Sequence, residues 1–192
     1  MQINVRPAKS DECGAYVALY GDEGPDISAE EWEAKFADLA SGERAALVAE
    51  MDGEMVGGVH LTFDGVGPEE ATVRHMIVRA DRRRLGLGKL LMDAIEALAL
   101  ARGMRTVRLF VRPDNDPAVA LYEARGYAVV ETEQCDCFSS DCMMMRKPLH
   151  VAQRLQRRKG TPLISPCRPK GIRAQGAGMS EKPTRARKAR RA

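Results

Sequence analysis

Two glycines one residue apart, where a strand gives way to a helix, constrain this chain more than any other feature. They lie in Arg82-Arg83-Arg84-Leu85-Gly86-Leu87-Gly88-Lys89. Ahead of them, residues 71–78 (Ala-Thr-Val-Arg-His-Met-Ile-Val) read as a strand. Behind them, apolar residues fall at Leu87, Leu90, Leu91, Ala94, Ile95 and Leu98, the spacing of a helix of about four turns. Residues without Cβ let a ligand approach the backbone closely. The first amides of a helix have no intrahelical partner and point outward with the positive end of its dipole. Such a turn suits a phosphate or pyrophosphate. Arg83, Arg84 and Lys89 add charge for the same anion.

Two well-known phosphate loops fail here. A P-loop needs Gly-x-x-x-x-Gly-Lys-Ser/Thr, but Arg83 stands at its first Gly and Leu90 at its hydroxyl. A dinucleotide fingerprint needs a third Gly and an acid about twenty residues on; those positions hold Leu91 and Arg108. What remains is Arg83-x-x-Gly86-x-Gly88.

Charge divides the chain in two. Residues 1–150 hold 17 Lys and Arg against 26 Asp and Glu, a net −9; residues 151–192 hold 13 against one, Glu181, a net +12. One domain over 1–150 and a basic, disordered tail over 151–192 are expected. The tail ends in Arg185-Ala186-Arg187-Lys188-Ala189-Arg190-Arg191, a possible arm for nucleic acid or the ribosome. It carries no aromatics for base stacking. Residues 1–7 lack the apolar run of a signal peptide, and no segment approaches a membrane span. A soluble cytoplasmic protein without membrane association is expected. The five cysteines read as free thiols. Cys135, Cys137, Cys142 and Cys13 could be imagined around zinc, but Cys-x-Cys is one residue short of the common knuckle, and no metal is expected.

The remaining pattern reads β-α-α-β-β-β-α-β-α-β-β. Ile3 to Arg6 alternate before Pro7. Ser10 can cap a short helix with Cys13, Tyr16, Val17 and Tyr20 on one side. Ser28-Ala29-Glu30-Glu31 is a capping box, with Ile27 and Trp32 as a staple and Phe36 and Leu39 continuing the stripe. Residues 45–51 and 55–63 are strands joined by Asp52-Gly53, a strong hairpin signal. Gly103 ends the long helix. Residues 105–112 alternate, and 128–133 and 142–149 form a last pair. This order fits a mixed α/β (α+β) sheet with helices on both faces.

A second motif follows the strand at 105–112: Asn115-Asp116-Pro117-Ala118-Val119-Ala120-Leu121-Tyr122-Glu123-Ala124-Arg125-Gly126-Tyr127. Asp116 before Pro117 marks a helix start, and Gly126 its end. With Arg83-x-x-Gly86-x-Gly88, it closely resembles the paired signatures of the GCN5-related N-acetyltransferases, the GNAT superfamily, over residues 1 to about 150. Bacterial members of the ribosomal-protein alanine acetyltransferase type look most alike.

The resemblance implies a mainly antiparallel sheet, splayed at its two central strands. Acetyl-CoA, the co-substrate, would lie with its pantetheine arm in the gap, pairing with backbone near Ile77 and Val78. Residues Arg83, Arg84, Leu85, Gly86, Leu87, Gly88 and Lys89 would take the pyrophosphate, and Asn115 would bind the arm. The resemblance also implies direct attack by an amine, with Tyr122 as the acid for the thiolate. A phenol of pKa about 10 suits that donor role. The family often has Gly at Arg84 and a basic residue at Leu85. Candidate bases are Glu70, His75, Glu50 and His60. The acceptor is an amine on a small molecule or a protein N-terminus, and a homodimer is possible. The competing reading is a non-catalytic acetyl-CoA-binding module tethered by its basic tail.

Overall fold

The hairpin expected at Asp52-Gly53 joins β2 (Arg44–Met51) to β3 (Glu54–Thr62), which pair antiparallel. Both turn residues have positive φ, 52° and 89°, as a two-residue type I′ turn requires. The computed structural model describes residues 2–21, 27–63, 67–134 and 141–150. The expected basic tail and the Cys135-Asp136-Cys137 stretch lie outside the described residues.

The other strands are β1 (Ile3–Pro7), β4 (Glu70–Val78), β5 (Thr106–Val111), β6 (Ala128–Gln134) and β7 (Asp141–Pro148). They form one seven-stranded sheet in the order β1-β2-β3-β4-β5-β7-β6. Its neighbours run antiparallel except β4 with β5. Helices α1 (Cys13–Ala18) and α2 (Ala29–Ser41) pack on one face, over β2 and β3. Helices α3 (Leu87–Ala101) and α4 (Asp116–Glu123) pack on the other. The mixed sheet with helices on both faces is therefore observed.

Local chemistry sets the ends of the helices. At α2 the capping box forms: the Glu31 amide donates to Ser28 Oγ (3.2 Å), and the Ser28 amide to Glu31 Oε2 (2.9 Å). Helix α3 ends in a Schellman turn, with Gly103 N–H donating to Leu100 O and Met104 N–H to Ala99 O, both 3.0 Å. Gly103 has φ 85°. Three expectations change. Ser10 lies inside a 3₁₀ turn, and the Lys9 amide donates instead to the Glu12 carboxylate (2.8 Å), while Val17 faces out. The α4 cap is Asn115, whose Oδ1 accepts from the Ala118 amide (3.3 Å), with Asp116 and Pro117 in the first turn, where proline's missing N–H costs nothing.

The third change concerns α3, where Leu90 is exposed and Met92 and Glu96 take inner positions beside Leu87, Leu91 and Ile95. Each fully buried apolar side chain of this size contributes roughly 1.5–3 kcal/mol. Glu96 tolerates burial because it is fully partnered. It accepts from Arg125 Nε (3.1 Å), Tyr127 Oη (3.2 Å) and Lys147 Nζ (2.8 Å). Removing one member of such a network strands a buried charge. The cluster pins α3, the turn after α4 and β7 together.

Candidate functional site

β4 changes its surroundings half-way along. Residues Glu70–Val73 pair with Thr106–Leu109 of β5, and the pairing stops there. From Arg74 to Val78 the strand keeps only β3, so the two central strands part as expected. The register against β3 shifts at the same place, between Gly58 and His60, and His75 takes φ 51°. This is a bulge, which bends a strand and increases its twist. Beyond it, the Arg79 amide donates to Val56 O (2.9 Å), so in the alternation of an antiparallel pair the peptide groups of Val78 face the gap. Arg83 Nε meets the Val78 carbonyl there at 3.2 Å.

Residues that the sequence placed only on a helix face, away from any site, hold the bulge. Tyr16 Oη donates to the His75 carbonyl at 2.6 Å, and Tyr20 Oη to the same oxygen at 3.2 Å. Tyr16 reaches it by packing against Gly58, where an added Cβ would meet the ring at 2.1 Å. A Gly57-Gly58 pair inside a strand was the available signal, since such glycines mark bulges and close approaches.

The glycine loop stands at the open end of the gap. Gly86 has φ 80° and caps α3 without any side-chain hydrogen bond. An added Cβ there would meet nothing within 4 Å, so its glycine answers a backbone requirement and leaves room for a ligand. Gly88 differs: a Cβ would meet Met76 Cε at 2.9 Å and Leu121 Cδ2 at 3.3 Å. It admits β4 and α4 to the helix rather than a ligand. Arg84 sits at φ 66°, a conformation that suits glycine, which accounts for the glycine familiar at this place. The amides of residues 84–86 donate to no backbone group among the described residues, and those of 87–89 open the helix. Six consecutive amides, those of residues 84–89, are therefore without a backbone acceptor among the described residues. Arg84, Leu85 and Lys89 are exposed around them.

Tyr122 closes the other wall. Its ring is buried against Tyr127 (centroids 5.8 Å), and its hydroxyl lies 3.5 Å from Met76 Sδ, a sulfur acceptor on the split half of β4. Burial pushes its pKa up to about 12, so it stays protonated and able to donate.

Residues 10–127 match the model of the Acetyltransferase (GNAT) family. The chain belongs to this family. An acetyltransferase of Pectobacterium atrosepticum is 35% identical over 85 residues, 44% of this chain and 58% of that relative. The chain thus spans little more than half the length of the curated relatives it matches. The ribosomal-protein-S18-alanine N-acetyltransferase of Escherichia coli superposes with TM-score 0.62 and 22% identity, over 77% of this chain and 94% of that one. A putative acetyltransferase of Salmonella typhimurium, solved with acetyl-CoA, gives 0.65 and 17%, over 78% and 95%. At these identities the likeness concerns the fold.

The GNAT fold gathers some of the expected residues and separates others. Val78 and Arg83 meet at the gap, Tyr122 reaches Met76 on the split half of β4, and Asn115 caps the helix that carries Tyr122. Glu70 does not join them. It lies at the start of β4, paired with Thr106 of β5, roughly 20 Å from Met76 at about 3.3 Å per residue. Its carboxylate pairs with Arg146 Nε at 2.5 Å. Glu50 pairs with Arg6 (2.6 Å). His60 is fully buried among Tyr16, Trp32, Phe36 and His75, with neither ring nitrogen hydrogen-bonded among the described residues. His75 turns into the same aromatic cluster, 4.7 Å from Trp32. Burial, aided by Lys35, Arg44 and Arg74, brings its pKa down to about 3, a poor value for a base at neutral pH. Among the described residues no helix is long and apolar enough to cross a membrane.

Proposed function

We propose that the chain transfers an acetyl group from acetyl-CoA to a primary amine. The observation that carries this reading is the split between β4 and β5, with six amides at its mouth and a phenol aimed at a sulfur on its wall. Acetyl-CoA supplies a thioester whose acetyl carbon is the electrophile. The amides of residues 84–89 hold the pyrophosphate, and Arg84 and Lys89 add charge around it. The peptide groups of Val78, which face the gap, orient the pantetheine arm as a missing strand would. Asn115, with Oδ1 engaged in capping α4, has its amide NH₂ left for the arm. Tyr122 Oη donates to the departing sulfur, with Met76 Sδ marking the kind of acceptor it meets. Neither Glu70 nor His75 is favoured as base. The amine reacts in its neutral form, with its proton lost to water.

The test is thiol release from acetyl-CoA across a panel of amines, alongside calorimetric binding of acetyl-CoA. Parent protein should bind and release thiol, and Gly86→Glu, which puts a carboxylate at the pyrophosphate, should lose affinity. Binding without release for any amine would favour the non-catalytic module instead. Unchanged affinity in folded Gly86→Glu would overturn the loop's role.

A further inference from the structure

The helical cover of the sheet is uneven. On the α1–α2 face, β2 and β3 are covered, whereas β5, β7 and β6 carry no helix among the described residues. Register places two rows of side chains across that face. One runs Arg44, Thr62, Thr72, Arg108, Arg146. The next contains His60 and Arg74, then Phe110 and Met144. Partners in register share a face.

Arg108 is half-buried, donates from Nε to Thr72 Oγ1 (3.1 Å), and lies 5.5 Å from the centre of the Phe110 ring. Arg74 lies 5.9 Å from the same ring. Both guanidiniums thus approach one aromatic ring, and Arg108 has no carboxylate partner among the described residues. Positive charge on this face attracts an anion, and screening is weak within about 10 Å. The crowding is notable in a region of net −9. Arg74 is also the first residue of β4 beyond its pairing with β5, so the stack stands at the edge of the split.

We propose that this bare half-sheet receives the acceptor, and that the acceptor is a peptide N-terminus followed by acidic residues. The proposal rests on the acetyl transfer proposed above. The peptide lies along β5 with its amine at the split and its carboxylates on Arg108 and Arg74. Rows two residues apart along a strand are about 7 Å apart, which matches alternate side chains of an extended peptide. Charge disfavours polyamines and aminoglycosides. It also disfavours the chain's own +12 tail as the occupant.

The experiment measures kcat/KM for thiol release by the full chain with three hexapeptides of identical N-terminal residue. Positions two and four, alternate side chains of an extended peptide, are acidic, neutral or basic, and the rest are identical. The acidic-to-basic ratio is read on each protein preparation, so loss of folded enzyme cancels. The acidic peptide should lead by roughly tenfold or more, the scale of a charge-assisted hydrogen bond. Arg108→Glu should invert the ratio, and the milder Arg108→Gln should bring it toward one. Equal rates for the three peptides, or a ratio unmoved in both variants, would overturn the proposal. Release with small amines but no peptide would overturn it while leaving acetyl transfer intact. Release with no amine at all, despite acetyl-CoA binding, would instead overturn the activity.

Discussion

The two halves of β4 are held by different means. Thr72 and Val73 have a strand on each side, β3 and β5, and the two ladders fix their position. Arg74 to Val78 have β3 alone, a bulge, and a residue at positive φ. Their support comes from the face of the sheet instead: two tyrosine hydroxyls on the His75 carbonyl and one tyrosine ring on Gly58. A strand that offers one edge to a ligand must be braced from its face. The aromatic cluster over His75 is that brace.

The largest expected effect follows from removing it. Gly58→Ala would place a Cβ 2.1 Å from the Tyr16 ring, and the ring or the strand must move. Overpacking of this kind costs roughly 1–3 kcal/mol. A displacement near 1 Å at the reacting centre can cost about a hundredfold in rate. Val73→Ala, in the doubly paired half, should lower the melting temperature through a cavity yet spare kcat/KM of the folded enzyme. If the two variants lose kcat/KM alike, the two halves of β4 are not functionally distinct.

Next in size is Tyr122→Phe, which keeps the ring in the core and removes only the donor. General acid assistance is worth about a hundredfold or more. The loss should fall on kcat, with KM for acetyl-CoA little changed, because the hydroxyl matters as charge develops on sulfur. A rate close to the parent's would make Tyr122 a packing residue of α4.

The brace also predicts a pH dependence of stability. Burial lowers the pKa of both His60 and His75; Lys35 and Arg44 lower both further, as do His75 for His60 and Arg74 for His75. Above about pH 6.5 histidine is mostly neutral in folded and unfolded chains alike, and its contribution is fully present. As pH falls below that value the unfolded chain takes up protons that the folded one refuses, so stability is lost. The loss approaches roughly 1.4 kcal/mol per pH unit for each histidine, and for His75 it continues to about pH 3. Urea midpoints between pH 5 and 7 should show it. His60→Phe should reduce the slope by about half, whatever it does to the absolute stability. A slope unchanged by that substitution would remove His60 from the account.

What could be read from the sequence was local. The glycine loop and the Asn115–Tyr127 helix declare themselves because turn geometry and helix period fix residue types at short spacings. Asp52-Gly53 and the α2 capping box are legible for the same reason. The bulge at His75 was not, because its causes lie apart: Tyr16 and Tyr20 near the start of the chain, and Gly58 in the preceding strand. Nothing local to the helix marks Glu96 as buried. Its partners Arg125, Tyr127 and Lys147 arrive only with the sheet. The arginine row depends on the register of five strands, and no window of sequence contains it. Glu70 shows the reverse error, since adjacency to the central strand suggested the site, but the strand is long enough to carry it away.

Glu70 also supplies the smallest expected effect. Its carboxylate is buried at the start of β4, beside β5, and bound to an Arg146 side chain that is 48% exposed. Exposed or half-exposed pairs are typically worth about 0.2–1 kcal/mol. Gln in place of Glu keeps the shape and one acceptor, so Glu70→Gln should cost stability at that scale. Its kcat should stay near the parent's, because the ladder beside β5 holds this end of the strand without it. A general base removed from the reaction would instead cost about a hundredfold in kcat. Steady-state rates at saturating acetyl-CoA decide between the two. A large loss of kcat in Glu70→Gln would mean that the paired half of β4 takes part in the chemistry, and the contrast between the halves would fail.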